Sequence, residues 1–231
     1  MKTEKNLIRI GSVMFALNLS ILIFYSLICM TTTFRICDTL GAHNFLNTVR
    51  QIPRHPWQMP VHSLSLYALL CAISFYKYYR PTDHFSLRVG ICIVEIALCA
   101  GIMASVNFYY NGVALLVLAD LVHYVRNNKM RLIFIVVLSL MFAFGRYDIV
   151  EQFTGGIAFG AYLDFYNPII RSSLVSLESL MVCLNVLLFV LYMILLFTSQ
   201  KDENARIRKL NEQLNQANDQ LRDYAENMER M

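Results

Sequence analysis

The chain has 231 residues, of which 57% are hydrophobic and 16% charged, and its formal net charge is +4; soluble domains carry about 25% charged residues. Four charges precede residue 10 and thirteen follow residue 200, leaving nineteen for the long stretch between. So little polar surface excludes a soluble enzyme or a disordered protein, makes a poor disulfide-rich secreted domain, and names lipid as the solvent. The lysines and arginines flank apolar stretches instead of forming a patch, so no nucleic-acid partner is expected.

A bilayer core about 30 Å thick requires roughly 20 apolar helical residues, and six stretches are expected to be membrane spans. The first, 10–30, follows a basic start (Lys2, Lys5, Arg9). Its apolar run exceeds the roughly 7–15 residues of a signal-peptide core and no small-x-small site closes it, so an uncleaved helix is expected. The second and third are 61–79 and 89–108. The fourth and fifth, 112–125 and 132–145, are short, and either cross as thin spans or form a re-entrant pair. The sixth, 174–197, is the longest. With the N-terminus inside, fifteen Lys and Arg fall in inner segments and five in outer ones, which places both termini in the cytoplasm by the positive-inside rule. The outer segment 31–60 carries Pro53, Pro56, Pro60 and Trp57, an interfacial anchor; 146–171 is rich in glycine and aromatics.

After Phe197 the composition turns polar. Ile207, Leu210, Leu214, Ala217, Leu221, Tyr224, Met228 and Met231 recur in steps of 3 and 4, an a/d heptad register with no Gly or Pro to interrupt it. So narrow a seam is better covered by a second copy of itself than by a globular core, and a parallel homodimer is expected. The expected architecture is thus an all-α membrane protein: a six-helix transmembrane bundle over 1–199, followed by a cytoplasmic coiled-coil helix over 200–231.

Charges inside spans are costly and mark function by default. Glu95, Asp120 and Glu178 fall in spans three, four and six, and Asp120 and His123, three residues apart on one helix face, are placed to bond to each other. That pair suits proton or cation sensing. Hydrogen bonding between helices in the bundle interior is the favoured reading, because no helix carries a regular array of charges. The six cysteines form no CxxC, the five histidines are scattered, and neither a P-loop, a dinucleotide turn nor a Ser-His-Asp set is present. No catalytic residue, metal site or cofactor is expected. Ala97 with Gly101, and Ala100 with Ala104, give span three a small-residue face for close packing.

The tail from Lys209 to Met231, KLNEQLNQANDQLRDYAENMERM, resembles the signalling helix of bacterial two-component sensor histidine kinases, most similarly the group of nitrate-sensor and membrane-fluidity-sensor kinases. The stretch YYNGVALLVLAD, Tyr109 to Asp120, resembles the multi-span input regions of such kinases from Gram-positive bacteria. The resemblance spans essentially the whole chain. It implies a signal-input module that relays a membrane or extracellular stimulus through a dimeric coil toward a response-regulator pathway. In that family the coil runs into a helix with a phospho-accepting His and then an ATP-binding domain; this chain is expected to be truncated before both. Cys37-Asp38-Thr39-Leu40-Gly41-Ala42-His43 echoes the phospho-acceptor box, but has Cys in the acceptor position and lies in an outer loop. Two alternatives stand: a small transporter or ion-conducting protein with Glu95, Asp120, His123 and Glu178 lining a polar path, and a scaffold that recruits a partner through 207–231.

Overall fold

The computed structural model describes residues 2–36, 58–79, 84–125, 127–145 and 158–229. Among these the chain is all-helical, with seven helices: α1 (Lys2–Ile36), α2 (Met59–Tyr79), α3 (Phe85–Ser105), α4 (Val113–Tyr124), α5 (Asn128–Phe144), α6 (Phe159–Leu163) and α7 (Pro168–Glu229). The Cys37–His43 box, Trp57 and Met231 lie outside the described residues. Four helices are long and apolar enough to cross a membrane: α1, α2, α3 and α7. They contain the first, second and sixth expected spans and most of the third.

The fourth and fifth expected spans are helices of 12 and 17 residues. At 1.5 Å per residue they measure about 18 and 25 Å. Their environments differ. Helix α4, apolar but for Asp120, His123 and the terminal Tyr124, packs against α1, α3, α5 and α7, with Val113 to Ala119, Leu121 and Val122 all buried, as a helix apolar on most faces must be. Helix α5 opens with a cap in which the Asn127 side chain accepts from the Lys129 backbone N–H at 3.0 Å. It buries only Phe134 and Leu138 and turns Leu132, Ile133, Val136, Leu140 and Phe144 outward, leaving an apolar outer face.

Helix α1 is the bundle's other hub, packing on α2, α4, α6 and α7. The Tyr67 hydroxyl of α2 donates to the Phe15 carbonyl of α1 at 2.7 Å, and Ser26 and Ser63 share a hydrogen bond. The small face expected on the third span is used: a Cβ on Gly101 would sit 3.4 Å from Leu66 of α2. That span ends earlier than expected, at Ser105. The cause is backbone geometry: Asn107 and Phe108 take φ of 50° and 59°, a left-handed conformation that costs about 1–2 kcal/mol per residue and cannot continue the helix. The turn throws Tyr109 and Tyr110 back into the core, and Asn111 ties it to α5 by donating to the Phe142 carbonyl at 2.7 Å.

Helix α7 runs without a break for 62 residues, about 93 Å at 1.5 Å per residue. The expected sixth span and the expected tail are therefore one helix.

Candidate functional site

Two buried polar clusters and a cleft lie between the helices. The first cluster is ionic. Lys77 Nζ of α2 lies 2.6 Å from Glu95 Oε1 of α3 and 2.6 Å from Asp120 Oδ2 of α4, and Ser74 donates to the same Asp120 oxygen at 2.9 Å. Lys77, expected as a flanking cation of the inner loop, is 5% exposed, and Glu95 is fully buried. The ammonium also stands 4.9 Å from the centroid of the Tyr124 ring, and the Arg88 guanidinium 5.5 Å from it. One buried cation thus serves two carboxylates, and Glu95 Oε2 has no hydrogen-bond partner among the described residues. The expected Asp120–His123 bond does not form: Asp120 turns to Lys77 and Ser74, while His123 is exposed. A cation one helix away outcompetes an imidazole on the same helix, because only it cancels the carboxylate's charge.

The second cluster is neutral and closed. Asn18 Nδ2 of α1 donates to Asn185 Oδ1 of α7 at 2.9 Å, Asn185 Nδ2 donates to the Tyr110 hydroxyl at 2.9 Å, and Tyr110 donates to Asn18 Oδ1 at 2.6 Å. The amides are further satisfied by the Met14 and Gly112 carbonyls. Gly112 is required here by space alone: its φ is −64°, but a Cβ would collide with the Tyr110 ring and hydroxyl.

The triad is the middle rung of a ladder between α1 and α7. Above it Tyr25 donates to Glu178 at 2.7 Å, with its ring stacked on Tyr109 and Tyr110 and edge-on to Phe159. Below it Gly11 faces Tyr192, whose ring would lie 3.7 Å from an added Cβ. Positions 11, 18 and 25 meet 192, 185 and 178, so the two helices run antiparallel in heptad steps. Glu178 therefore lies two rungs from Tyr192, about 21 Å along the axis, and the four residues offered as a transport path do not come together. Asp120 and His123 share a cleft, Glu95 is sealed behind Lys77, and Glu178 belongs to the far rung. Asn18, Tyr110 and Asn185 were not singled out in the sequence; their signal is polar residues seven apart within apolar spans.

The cleft, about 500 Å³, lies between α1, α2, α4 and α7, and Asp120, His123 and Tyr192 are on its wall.

In the tail, Ile207, Leu210, Leu214, Ala217, Leu221 and Met228 are all exposed; the Tyr224 side chain lies outside the described ones. At 3.6 residues per turn, about 18 residues make five full turns. Leu214 and Leu221 thus lie about ten turns beyond Glu178 and Asn185, and Leu210 about five beyond Tyr192, on the same side of α7. The face that meets α1 is the face that carries the heptad stripe, while Cys183, Leu187 and Ile194 line a bare apolar groove on another.

Among the described residues no group of His, Cys, Asp and Glu could hold a metal ion. No protein-family model, curated protein or solved structure matches the chain.

Proposed function

We propose that this chain is the transmembrane input module of a signalling protein, six-spanning with both termini cytoplasmic, which relays a change in its bundle through α7 to a dimeric coiled coil. The observation that carries the reading is the unbroken helix from Pro168 to Glu229: one continuous element meets α1 by a ladder of polar rungs and presents an uncovered heptad stripe below. A shift of α7 against α1, or a change of its bend, then moves the stripe. The tail's likeness to the signalling helix of sensor histidine kinases supplies the output class, a two-component phosphorelay.

The shared phase makes the relay specific. A parallel partner pairs through the stripe at roughly 10 Å, on the side that α1 occupies within the bundle. Two straight copies of α7 would bring each partner's bundle into the other's α1. Dimerisation therefore bends α7 between the bundle and Ile207, in the polar run that begins at Thr198, whose hydroxyl already bonds back to the Ile194 carbonyl at 2.9 Å, a contact that bends helices. The straight and bent forms are the two states of the relay.

Cysteine crosslinking in membranes tests this, in a chain whose native cysteines are replaced. Leu214→Cys and Leu221→Cys should give disulfide dimers and Asn215→Cys should give few. Equal or better capture at Asn215 overturns the dimeric seam.

A further inference from the structure

We propose that the cleft between α1, α2, α4 and α7 binds a small amphipathic cation, its positive head paired with Asp120 and its apolar body against Phe15, Phe75 and Leu116. At about 500 Å³ the cleft is the size of a small-molecule site, and it has the usual make-up of one: apolar walls with a few converging polar groups. It opens where Ile8, Phe75 and Tyr79 are 49%, 65% and 66% exposed, at the end of the bundle where α1 begins and α7 leaves.

The sign of the ligand follows from the charges around it. Of Lys77, Glu95 and Asp120, only Asp120 lines the cleft. Its Oδ2 is held by Lys77 and Ser74, and with the side chain 26% exposed the carboxylate still faces the cleft. Arg88 and Lys77 stand over Tyr124 and neither lines the cleft. An anion would meet a carboxylate at close range among apolar walls, and a plain hydrocarbon would strip that carboxylate of water and offer nothing in return. A cation pairs with the carboxylate instead, and the His123 ring stands beside it on the same wall.

Gly11 and Tyr192, the last rung of the α1–α7 ladder, are part of the same wall. That occupancy of the cleft is the input to the tail rests on the relay reading above; the binding itself does not.

Two ions of one shape and opposite charge, tetraphenylphosphonium and tetraphenylborate, test the site by equilibrium dialysis. The whole chain is held in phosphatidylcholine nanodiscs, and uptake by protein-free discs is subtracted. Saturable uptake of one phosphonium per chain is expected, at least tenfold weaker in Asp120→Asn and in Ser12→Trp, with no saturable uptake of borate. Ser12 is exposed on the cleft wall, so an indole there fills the space without entering the core, and this variant and the ion pair decide the matter even if Asp120→Asn fails to fold. Absent phosphonium binding, equal binding by wild type and the folded variants, or borate binding of similar strength each overturns the site. Phosphonium should also change the disulfide yield at Leu214→Cys. Binding with an unchanged yield removes the link to the tail and leaves the site standing.

Discussion

The two buried clusters solve one problem in different ways. The Asn18–Tyr110–Asn185 ring is neutral, and each member both gives and receives, so three hydrogen bonds close on themselves. The Lys77–Glu95–Asp120 set is charged and unbalanced, with one cation between two carboxylates and one Glu95 oxygen unsatisfied. A closed neutral ring holds helices in a fixed register and asks nothing of its surroundings. An ionic set with two carboxylates depends on its single cation, and it borders the cleft. The first fixes register, and the second puts charge beside the cleft.

The largest effect should come from removing the shared cation. Lys77→Met leaves the buried Glu95 beside the half-buried Asp120 with no counter-charge, and breaking a buried pair in this way costs about 3–5 kcal/mol. Titration with sodium dodecyl sulfate, read by helical circular dichroism, should show the loss. The triple variant Lys77→Met, Glu95→Gln, Asp120→Asn should recover most of it, since neutral amides no longer demand a cation. If Lys77→Met alone unfolds like wild type, the ionic cluster does not hold the bundle.

Asn185→Leu should cost less, about 2 kcal/mol, because the groups it leaves behind are neutral. Bonds between helices in lipid average about 0.6 kcal/mol each, and Asn185 makes three: to Asn18, Tyr110 and the Gly112 carbonyl. Asn18→Leu and Asn185→Leu together should cost much less than the sum of the two, a coupling that a double-mutant cycle measures directly. Additive losses would mean that the ring is three separate contacts.

The sequence made the two clusters unequally visible. Glu95 and Asp120 stand out because charge is rare in apolar spans, and the structure brings them together; their partner Lys77 passed as a flanking residue because it sits in the last turn of its helix, where a cation is also expected on topological grounds. Asn and Tyr carry no such rarity, so the ring appears only when positions 11, 18 and 25 are set against 192, 185 and 178. The all-helical character and the four long apolar helices were legible from composition and length, since both follow from burying backbone polar groups in lipid. The early end of α3 was not: Asn107 tolerates the left-handed conformation, but Phe108 beside it does not favour one, and both adopt it. Nor did the heptad stripe reveal its phase relative to the bundle, which needed the face of α7 that meets α1.

Two glycines provide the finest comparison, because the same substitution should act with opposite sign. Gly112→Ala sets a methyl into the Tyr110 ring and hydroxyl, on a segment fixed by α4 on one side and by Asn111 on the other. The ring must yield, and with it the hydrogen bonds to Asn18 and Asn185, for a loss of about 1.5 kcal/mol, within the usual cost of overpacking. Gly90→Ala adds its methyl in the interior of α3, where nothing lies within 4 Å. It should gain about 0.5–1 kcal/mol, the difference between the two residues in a helix. Combined with Asn185→Leu, the Gly112→Ala loss should shrink, since the hydroxyl it displaces has already lost a partner, whereas the Gly90→Ala gain should stay as it was. An undiminished Gly112→Ala loss in that background would place its cost in the α4 backbone and not in the ring.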